Sequence, residues 1–225
     1  MSTLTSARVS NLLAKLYADA ENADKPFQEK MRAMSEEERK AVYLDNRRMY
    51  SDLARNAYLP IPPEFGKLLY MLIRSSAAKR IIEFGTSFGI STIHLAAAVR
   101  DNGTGHVIAT EYEPSKAEQA RKNFDAAGVA DLIEIRIGDA LETLRGGIDG
   151  PIDFVLLDGP KDLYLPVLRL IEPRLAPQAW IAADNTKNLA GPMQKYLDYI
   201  RDPANGYISA NIPSEPGHEV SLRVK

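Results

Sequence analysis

The stretch Ile81-Ile82-Glu83-Phe84-Gly85-Thr86-Ser87-Phe88-Gly89-Ile90-Ser91 decides how the rest of the chain folds. A short apolar run ends on a carboxylate, passes through a turn of small residues, and then opens a helix. Glycines let the backbone approach a ligand closely, and the N-terminus of a helix offers free N–H groups to that ligand. The spacing is Glu-x-Gly-x-x-x-Gly, which differs from the Gly-x-Gly-x-x-Gly of dinucleotide sites. The stretch therefore indicates an adenosine-type ligand site, and a plain strand-to-helix turn is the alternative.

The composition excludes several classes of protein. The chain has 225 residues, of which 45% are hydrophobic and 26% charged, as is typical of one globular domain with an appended element. A net charge of -2 argues against nucleic acid or an anionic membrane as a partner. Disulfides, thiolate metal sites and cysteine nucleophiles are excluded because the chain has no cysteine. Without an apolar run of about 18 residues, or a signal-peptide pattern near residue 1, the sequence favours a cytoplasmic protein.

Residues 1–58 are predicted to form an N-terminal helical arm. Apolar residues recur at helical spacing in its first part. Ser35 and Glu38 have the spacing of a capping box, which predicts a long charged helix from there to about Ala57. Such a helix can pack on its own domain, cover the mouth of an active site or join a dimer.

Residues 59–225 are predicted to form an α/β domain. Short β-rich runs alternate with helical segments, which implies right-handed βαβ units and a parallel sheet. The strand candidates are 80–84, 106–110, 132–136, 153–157 and 179–183. The helix candidates are 64–73, 90–100, 114–127, 139–145, 162–174 and 191–201. Two further runs, 207–211 and 219–224, are separated by a turn rich in proline and glycine and indicate a closing antiparallel hairpin.

Acidic residues follow every strand of the predicted parallel sheet. They are Glu83, Glu111, Asp139, Asp158 and Asp184. Ligands of open α/β sheets lie beyond the carboxyl ends of the strands, so these acids are expected to meet at one edge. Glu111 lies about 20 residues after Gly89, where an acid accepts hydrogen bonds from a ribose diol. Asp139 is placed to meet an adenine amino group, although a helix cap explains that acid at least as well.

A second signal lies in the combination of Asp158 with Asp184 and Asn185. If their strands are neighbours, two carboxylates and one amide oxygen come together. Hard oxygen donors without His or Cys suit Mg²⁺ or Ca²⁺ and not zinc. Three protein ligands leave coordination positions open for water and substrate, which is typical of a catalytic metal. Asp-Asn alone is also a common turn dipeptide.

Four segments of the chain resemble the cation-dependent O-methyltransferases, which include catechol O-methyltransferase and the caffeoyl-CoA O-methyltransferases. The segments are 83–91, 110–114, 157–164 and 183–185. The resemblance runs from about Leu59 to the C-terminus. It implies a Rossmann-like S-adenosylmethionine-dependent methyltransferase fold, with a mostly parallel seven-stranded sheet closed by an antiparallel hairpin. It also implies methyl transfer to a catechol-type small molecule, and a homodimer.

The resemblance also implies roles for individual positions. The S-adenosylmethionine site would include Ile61, Glu83, Gly85, Ser91, Glu111, Tyr112, Asp139, Ala140 and Asp158. The metal ligands would be Asp158, Asp184 and Asn185, holding Mg²⁺ or another divalent cation such as Ca²⁺ or Mn²⁺. The substrate would meet Lys161, Asn185 and Glu219. Lys161 would take the proton of the reacting hydroxyl, and Asp158 would act beside it as the second catalytic residue.

The chain departs from the catechol enzymes just after Asp158. They carry a histidine and a tryptophan where this sequence has Gly159-Pro160, and the tryptophan helps to wall the aromatic ring. The pocket is therefore expected to be more open, or to be closed by the N-terminal arm. The alternatives are the same chemistry on a hydroxylated transfer RNA base, a nicotinamide-dependent oxidoreductase, which the glycine spacing disfavours, and a non-catalytic binding protein.

Overall fold

A single mixed sheet organises the protein. The computed structural model describes residues 2–45, 47–186 and 190–225. Within them, seven strands lie in the order β3-β2-β1-β4-β5-β7-β6. The strands are β1 Arg80–Phe84, β2 His106–Glu111, β3 Ile133–Ile137, β4 Ile152–Leu157, β5 Leu175–Asp184, β6 Tyr207–Ile212 and β7 His218–Arg223. Strands β1 to β5 pair in parallel, and β7 pairs antiparallel with both β5 and β6. The predicted parallel sheet and closing hairpin are confirmed.

Helices cover both faces of the sheet and precede it. They are α1 Ala7–Ala23, α2 Lys25–Ala33, α3 Glu36–Tyr43, a π-helix over Arg47–Leu53, α4 Pro63–Ser76, α5 Ile90–Asn102, α6 Pro114–Ala127, α7 Ala140–Thr143, α8 Tyr164–Ile171 and α9 Ala190–Arg201. The helix predicted over 162–174 is shorter than expected. A 3₁₀ turn occupies Glu172–Arg174 after α8, because Pro173 has no N–H for continued helical bonding. Across the described residues, no helix combines the length and apolarity needed to cross a membrane.

The central strands are buried on both faces because their side chains alternate between two hydrophobic clusters. Ile81 and Leu156 belong to the cluster under α4, α5 and α6. Ile82 and Val155 point the other way, into the cluster under α8 and α9. All four are fully buried, as near-continuous apolar runs in parallel strands require. Because these strands are fixed in register, their carboxyl ends lie along one edge of the sheet.

The first 58 residues consist of two differently packed parts. Helix α1 places Val9, Leu13 and Leu16 in the main core. The segment from α2 to the π-helix forms a small cluster of its own, whose buried members are Phe27, Met31, Val42, Met49, Ala54 and Ala57. We call residues 25–57 the cap segment. The division at residue 58 stays a prediction, and α1 is packed as part of the larger body.

The long helix predicted from Ser35 to Ala57 is wrong. The capping box is present, with Glu38 accepting from the Ser35 N–H at 2.8 Å, but α3 ends at Tyr43. The Asp45 side chain then accepts from the Arg48 N–H at 3.0 Å, which competes with a continuous helix. The π-helix follows, and the Ala54 N–H donates to the Met49 carbonyl at 2.8 Å. The cap segment therefore turns back over the body.

Asp24 fastens the cap segment to the body. This buried carboxylate accepts from the N–H of Tyr58 at 2.5 Å and from that of Leu59 at 3.0 Å. Leu59 has a left-handed backbone with φ of +49°, which is unfavourable for a branched side chain. The two hydrogen bonds hold this conformation and fix where the chain enters α4.

We predict that Asp24→Ala loosens this junction. Two buried N–H donors lose their acceptor, and each such loss costs about 1–3 kcal/mol. Urea unfolding should show a loss of stability, and hydrogen exchange should accelerate at the amides of Tyr58 and Leu59. Asp19→Ala is the matched control, because Asp19 is paired only with Lys15 on the surface of α1. Equal protection of the two amides in both variants would contradict the prediction.

Candidate active site

A cavity of about 360 Å³ lies at the carboxyl edge of the sheet. The predicted cofactor residues that line it are Ile61, Gly85, Ser91, Glu111, Tyr112, Asp139, Ala140 and Asp158. Two predicted substrate residues, Lys161 and Asn185, line the same cavity. The acids of different strands therefore come together as the sheet geometry predicts. Glu83, Asp184 and Glu219 do not belong to the lining.

The turn between β1 and α5 forms the floor of the cavity. A Cβ on Gly85 would lie 2.6 Å from the Asp158 carbonyl oxygen, and Gly85 also has φ of +95°. Glycine is therefore required where this turn meets the end of β4. The Asp158 N–H donates to the Phe84 carbonyl at 2.8 Å, which holds the ends of β1 and β4 together.

Glu111 and Asp139 mark the part of the cavity beside β2 and β3. The Glu111 carboxylate accepts from the N–H of Ser87 at 2.7 Å and from that of Glu113 at 2.8 Å. Burial raises the pKa of this carboxyl group. Each of its oxygens keeps a lone pair for a further donor, so the group can accept from a ribose diol. Asp139 caps α7 by accepting from the Leu141 N–H at 2.8 Å and also lines the cavity, so the cap is formed and the adenine contact stays a prediction.

Glu83 lies beneath the floor turn and is not among the residues that line the cavity, so its predicted contact with a cofactor stays a prediction. It is completely buried. One carboxylate oxygen accepts from the hydroxyls of Thr86 and Thr92. The other oxygen has no partner with hydrogen-bond geometry, although the Ser91 hydroxyl is near. Burial raises the pKa of Glu83 from 4.5 to about 7.

The opposite part of the cavity holds a compact charged group at the ends of β4 and β5. Lys161 Nζ lies 3.3 Å from an Asp158 carboxylate oxygen and 2.6 Å from the Tyr164 hydroxyl oxygen. The Tyr164 hydroxyl donates to the Asp184 carbonyl at 3.2 Å. Burial and the charge of Asp184 raise the pKa of Asp158, while Lys161 opposes them. The structure therefore places two buried carboxylates close together, with Lys161 beside them.

Asp184 and Asn185 complete a set of oxygen donors. Asn185 lines the cavity with a left-handed backbone, φ of +59°, and its amide donates to Asp184. The other Asp184 oxygen lies 2.8 Å from His218 Nδ1 but is not aligned for a hydrogen bond. Within the described ranges, no three His, Asp or Glu side chains form a metal cluster. Two buried carboxylates and one amide oxygen nevertheless fit a hard dication, since it would relieve their repulsion.

Glu219 is not among the residues that line the cavity, so its predicted contact with a substrate stays a prediction. It is 1% exposed and lies on β7. Its two carboxylate oxygens accept from Arg201 at 2.8 and 2.7 Å, and Ser209 donates to it at 2.7 Å. These bonds hold α9 and the hairpin together and leave the carboxylate no exposure to a ligand.

His218 lies beside Asp184, a neighbour that the pattern of strand ends does not predict. It is buried, stacks on Phe65 with ring centroids 3.7 Å apart, and lies opposite Asp184 in the β5–β7 register. The signal that could have found it was that register, which depends on a hairpin formed across a long loop.

Comparison with known proteins agrees with this geometry. A family profile described as "Methyltransferase domain" matches residues 82–186, which include the floor turn and the ends of both β4 and β5. A catechol O-methyltransferase of Mycobacterium tuberculosis (strain ATCC 25618 / H37Rv) is 40% identical over 112 residues, which are 50% of this chain and 50% of that protein. Caffeoyl-CoA O-methyltransferase 1 of Eucalyptus globulus is 30% identical over 148 residues, or 61% of this chain and 59% of that protein.

Residues 82–186 thus match a methyltransferase domain, and the relatives that this chain resembles are named as O-methyltransferases.

A solved structure supports this fold along almost the whole length of the chain. The O-methyltransferase TomG from Streptomyces achromogenes, in complex with S-adenosylmethionine, superposes with a TM-score of 0.66 at 26% identity. The match covers 86% of this chain and 92% of that chain. The Rossmann-like methyltransferase fold is thereby confirmed. The chain spans about half to three fifths of the length of the two curated relatives.

We predict that Glu83→Gln changes how the stability of the protein depends on pH. Because the folded carboxyl group has the higher pKa, the native state of the wild type loses stability as pH rises from about 4.5 to about 7. A rise of the pKa from 4.5 to about 7 corresponds to about 3 kcal/mol as an upper value. The neutral amide avoids this cost, so the variant should be more stable than wild type at pH 8 and nearly equal at pH 4.

Thermal unfolding across this pH range checks the prediction. Glu118→Gln is the matched control, since Glu118 lies on the surface of α6 in an exposed pair with Lys122. The control should follow the wild-type profile. A Glu83→Gln variant that is less stable than wild type at pH 8 would show that the ionised carboxylate stabilises the fold.

Proposed function

We propose that the protein transfers a methyl group from S-adenosylmethionine to one hydroxyl of a catechol-type aromatic small molecule, with a bound divalent cation. The observation that supports this proposal is one cavity lined by both Glu111 and the pair Asp158 and Lys161. The first is suited to a ribose diol, and the second to a phenol. The relatives named for catechol and caffeoyl-CoA methylation favour a phenolic acceptor.

The residues around Glu111 suit the nucleoside part of the methyl donor. Glu111 would accept from the ribose hydroxyls, and the cap of α7 at Asp139 would meet the adenine. Gly85 lets the floor turn pack closely against the end of β4 beside this part of the cavity. The S-adenosylmethionine complex of TomG, a structure of the same fold, is consistent with this arrangement.

The residues at the ends of β4 and β5 suit the cation and the acceptor. Asp158, Asp184 and Asn185 would hold a cation such as Mg²⁺, which when bound supplies positive charge that favours ionisation of a nearby hydroxyl. Ionisation is the difficulty to be overcome, since a phenol with a pKa of about 10 is mostly protonated at neutral pH. The carboxylates themselves would orient the acceptor by fixing the ion between them.

Lys161 is the proposed base. Its Nζ is held between an Asp158 oxygen and the Tyr164 hydroxyl, which fixes its position at the edge of the cavity. In its neutral form Nζ takes the proton from the acceptor hydroxyl. The phenol oxygen then forms a bond to the methyl carbon of S-adenosylmethionine, the carbon–sulfur bond breaks, and its electron pair stays on sulfur. The products are the methyl ether and S-adenosylhomocysteine.

We predict that methyl transfer requires both a catechol and a divalent cation. The purified chain is incubated with S-adenosylmethionine and either catechol, caffeate, caffeoyl-CoA or bulk transfer RNA, with Mg²⁺ or excess EDTA, and methylated product is quantified by mass spectrometry. Product should form from at least one phenol with Mg²⁺ and fall to background with EDTA. Asp184→Ala should behave like the EDTA sample, while Asp198→Ala, an exposed change on α9, should not.

Two results would contradict the proposal. Full turnover in EDTA would remove the cation from the mechanism. Methylation of transfer RNA, with none of any phenol, would replace the acceptor class with the hydroxylated-base alternative.

We predict that Lys161→Ala lowers kcat by about 10²–10⁴-fold, the usual contribution of a positioned general base. The affinity for S-adenosylhomocysteine, measured by calorimetry, should change by less than about threefold, which is under 1 kcal/mol. Lys195→Ala is the matched control, because this lysine lies in a separate surface groove behind Lys161. A Lys161→Ala enzyme with wild-type turnover would exclude Lys161 as the base.

A further inference from the structure

We infer that the cap segment supplies the wall for the aromatic ring of the acceptor, that Tyr50 is the residue that determines acceptor specificity, and that the acceptor is a single-ring catechol. This inference rests on the proposed function and names its substrate class. Three observations support it. The loop after β4 offers no aromatic side chain to the cavity, the cap segment does offer such side chains, and polar contacts hold the cap segment in place.

The loop after β4 is unable to provide a side-chain wall. Gly159 packs against the Phe84 ring, and a Cβ there would lie 2.6 Å from a ring carbon. No larger residue fits that position without moving Phe84. At Gly159 and Pro160 the loop therefore presents only backbone and a proline ring beside Asp158, and the lining residues that follow, Lys161 and Leu163, are not aromatic. Any aromatic surface for the acceptor has to come from another part of the chain.

The cap segment places apolar and aromatic side chains at the cavity. Phe27, Tyr43, Met49 and Tyr50 all contribute to its lining. Tyr50 lines the same cavity as Asp158 and Lys161. Burial, followed by the negative charge of Asp158, raises the pKa of its hydroxyl. Tyr50 is thus available as a wall of the cavity that holds the proposed acceptor site.

The π-helix explains why the neighbouring side chains of Met49 and Tyr50 both reach the cavity. Met49 accepts from the Ala54 N–H, five residues ahead, so the turn is wider than an α-helical turn. Met49 packs into the cap segment's own cluster and also reaches the lining. Tyr50, the next residue in the turn, is partly exposed and lines the cavity. Single π turns of this kind occur frequently at functional sites.

The wall is held in place by contacts that converge on the floor turn. Buried Lys116 donates to the Ala57 carbonyl at 2.8 Å and to the Ser87 hydroxyl at 3.2 Å. The Ser87 hydroxyl donates to the Tyr58 carbonyl at 2.8 Å. Tyr58 stacks on Phe88 with ring centroids 4.1 Å apart. The C-terminal end of the cap segment is thus bonded to the loop that binds the methyl donor, so the wall is ordered before the acceptor arrives.

A wall in this position limits the size of the acceptor. One flat ring can lie against Tyr50 with its two hydroxyls toward Asp158 and Lys161. A ring that carries a long thioester chain has to pass the cap segment, because the cap closes the side of the cavity that the open β4 loop leaves unwalled. We therefore expect single-ring catechols to be preferred over caffeoyl-CoA, and the preference to depend on Tyr50.

The test compares Tyr50→Ala, Tyr50→Phe and Met31→Ala with the wild type. Met31 is the matched control, since it is buried in the cap segment's cluster but does not line the cavity. The first readout is the Kd of 4-nitrocatechol, measured by calorimetry with S-adenosylhomocysteine and Mg²⁺ present, which requires no turnover. The second is KM and kcat for a single-ring catechol and for caffeoyl-CoA.

The expected result is a loss of acceptor affinity of about tenfold in Tyr50→Ala, the size expected for a lost aromatic contact and its buried area. Tyr50→Phe should restore affinity to within about twofold of wild type, because the ring makes the wall. Met31→Ala should bind 4-nitrocatechol as the wild type does. Tyr50→Ala should also reduce the preference for the single-ring catechol over caffeoyl-CoA, with the affinity for S-adenosylhomocysteine unchanged.

Several results would overturn the assignment. They are an effect of Tyr50→Ala no greater than that of Met31→Ala, a Tyr50→Phe variant as weak as Tyr50→Ala, or no binding of 4-nitrocatechol to the wild type. If Tyr50→Ala does not fold, as judged by circular dichroism, Tyr50→Leu keeps the volume and loses only the ring, and the same comparison applies. Tyr50-dependent binding without methylation of any phenol would refute the proposed function while supporting the wall.

Discussion

The close approach of Asp158 and Asp184 is the interaction on which the rest of this site depends. Two like charges in a buried environment repel each other, and adjacent parallel strands fix their distance. Lys161 offsets part of that repulsion, and Tyr164 links the lysine to the backbone at Asp184. The same repulsion makes the position suitable for a dication. The register of β4 and β5 therefore determines where these charged side chains lie. Because the fold keeps Asp158 and Asp184 close together, their repulsion favours the binding of a cation.

Much of this could be predicted because it depends on local pattern. The alternation of strands and helices gives the parallel sheet, and the strand ends at Glu111 and Asp158 meet at one edge as expected. The sequence is less informative where long-range packing decides how a side chain is oriented. Glu219 is a strand residue whose partner, Arg201, comes from a separate helix. Glu83 ends a strand like the other acids, but its side chain points beneath the turn. Sequence alone does not reveal which face a strand-end side chain takes.

The cap segment shows a further limit of local reasoning. Its apolar stripe and capping box correctly predict helical structure, and the pattern is compatible with one continuous helix. Asp45 interrupts that helix by bonding to the backbone ahead, and the interruption turns the segment toward the cavity. Asp24 and Lys116 then determine where the segment lies, because they form hydrogen bonds to residues far along the chain. Polar contacts therefore determine the position of the wall, and hydrophobic periodicity does not predict such contacts.

The packing of α1 has a consequence for how the protein is made. Its apolar residues join a core built from α4, α5 and α6, and Arg8 donates to the carbonyls of Asp125 and Ala126. During synthesis α1 leaves the ribosome about 40 to 100 residues before these partners, and domains fold as units only when their parts have emerged. The apolar face of α1 is therefore translated before the helices that cover it. Its packing is completed only after α6 has emerged.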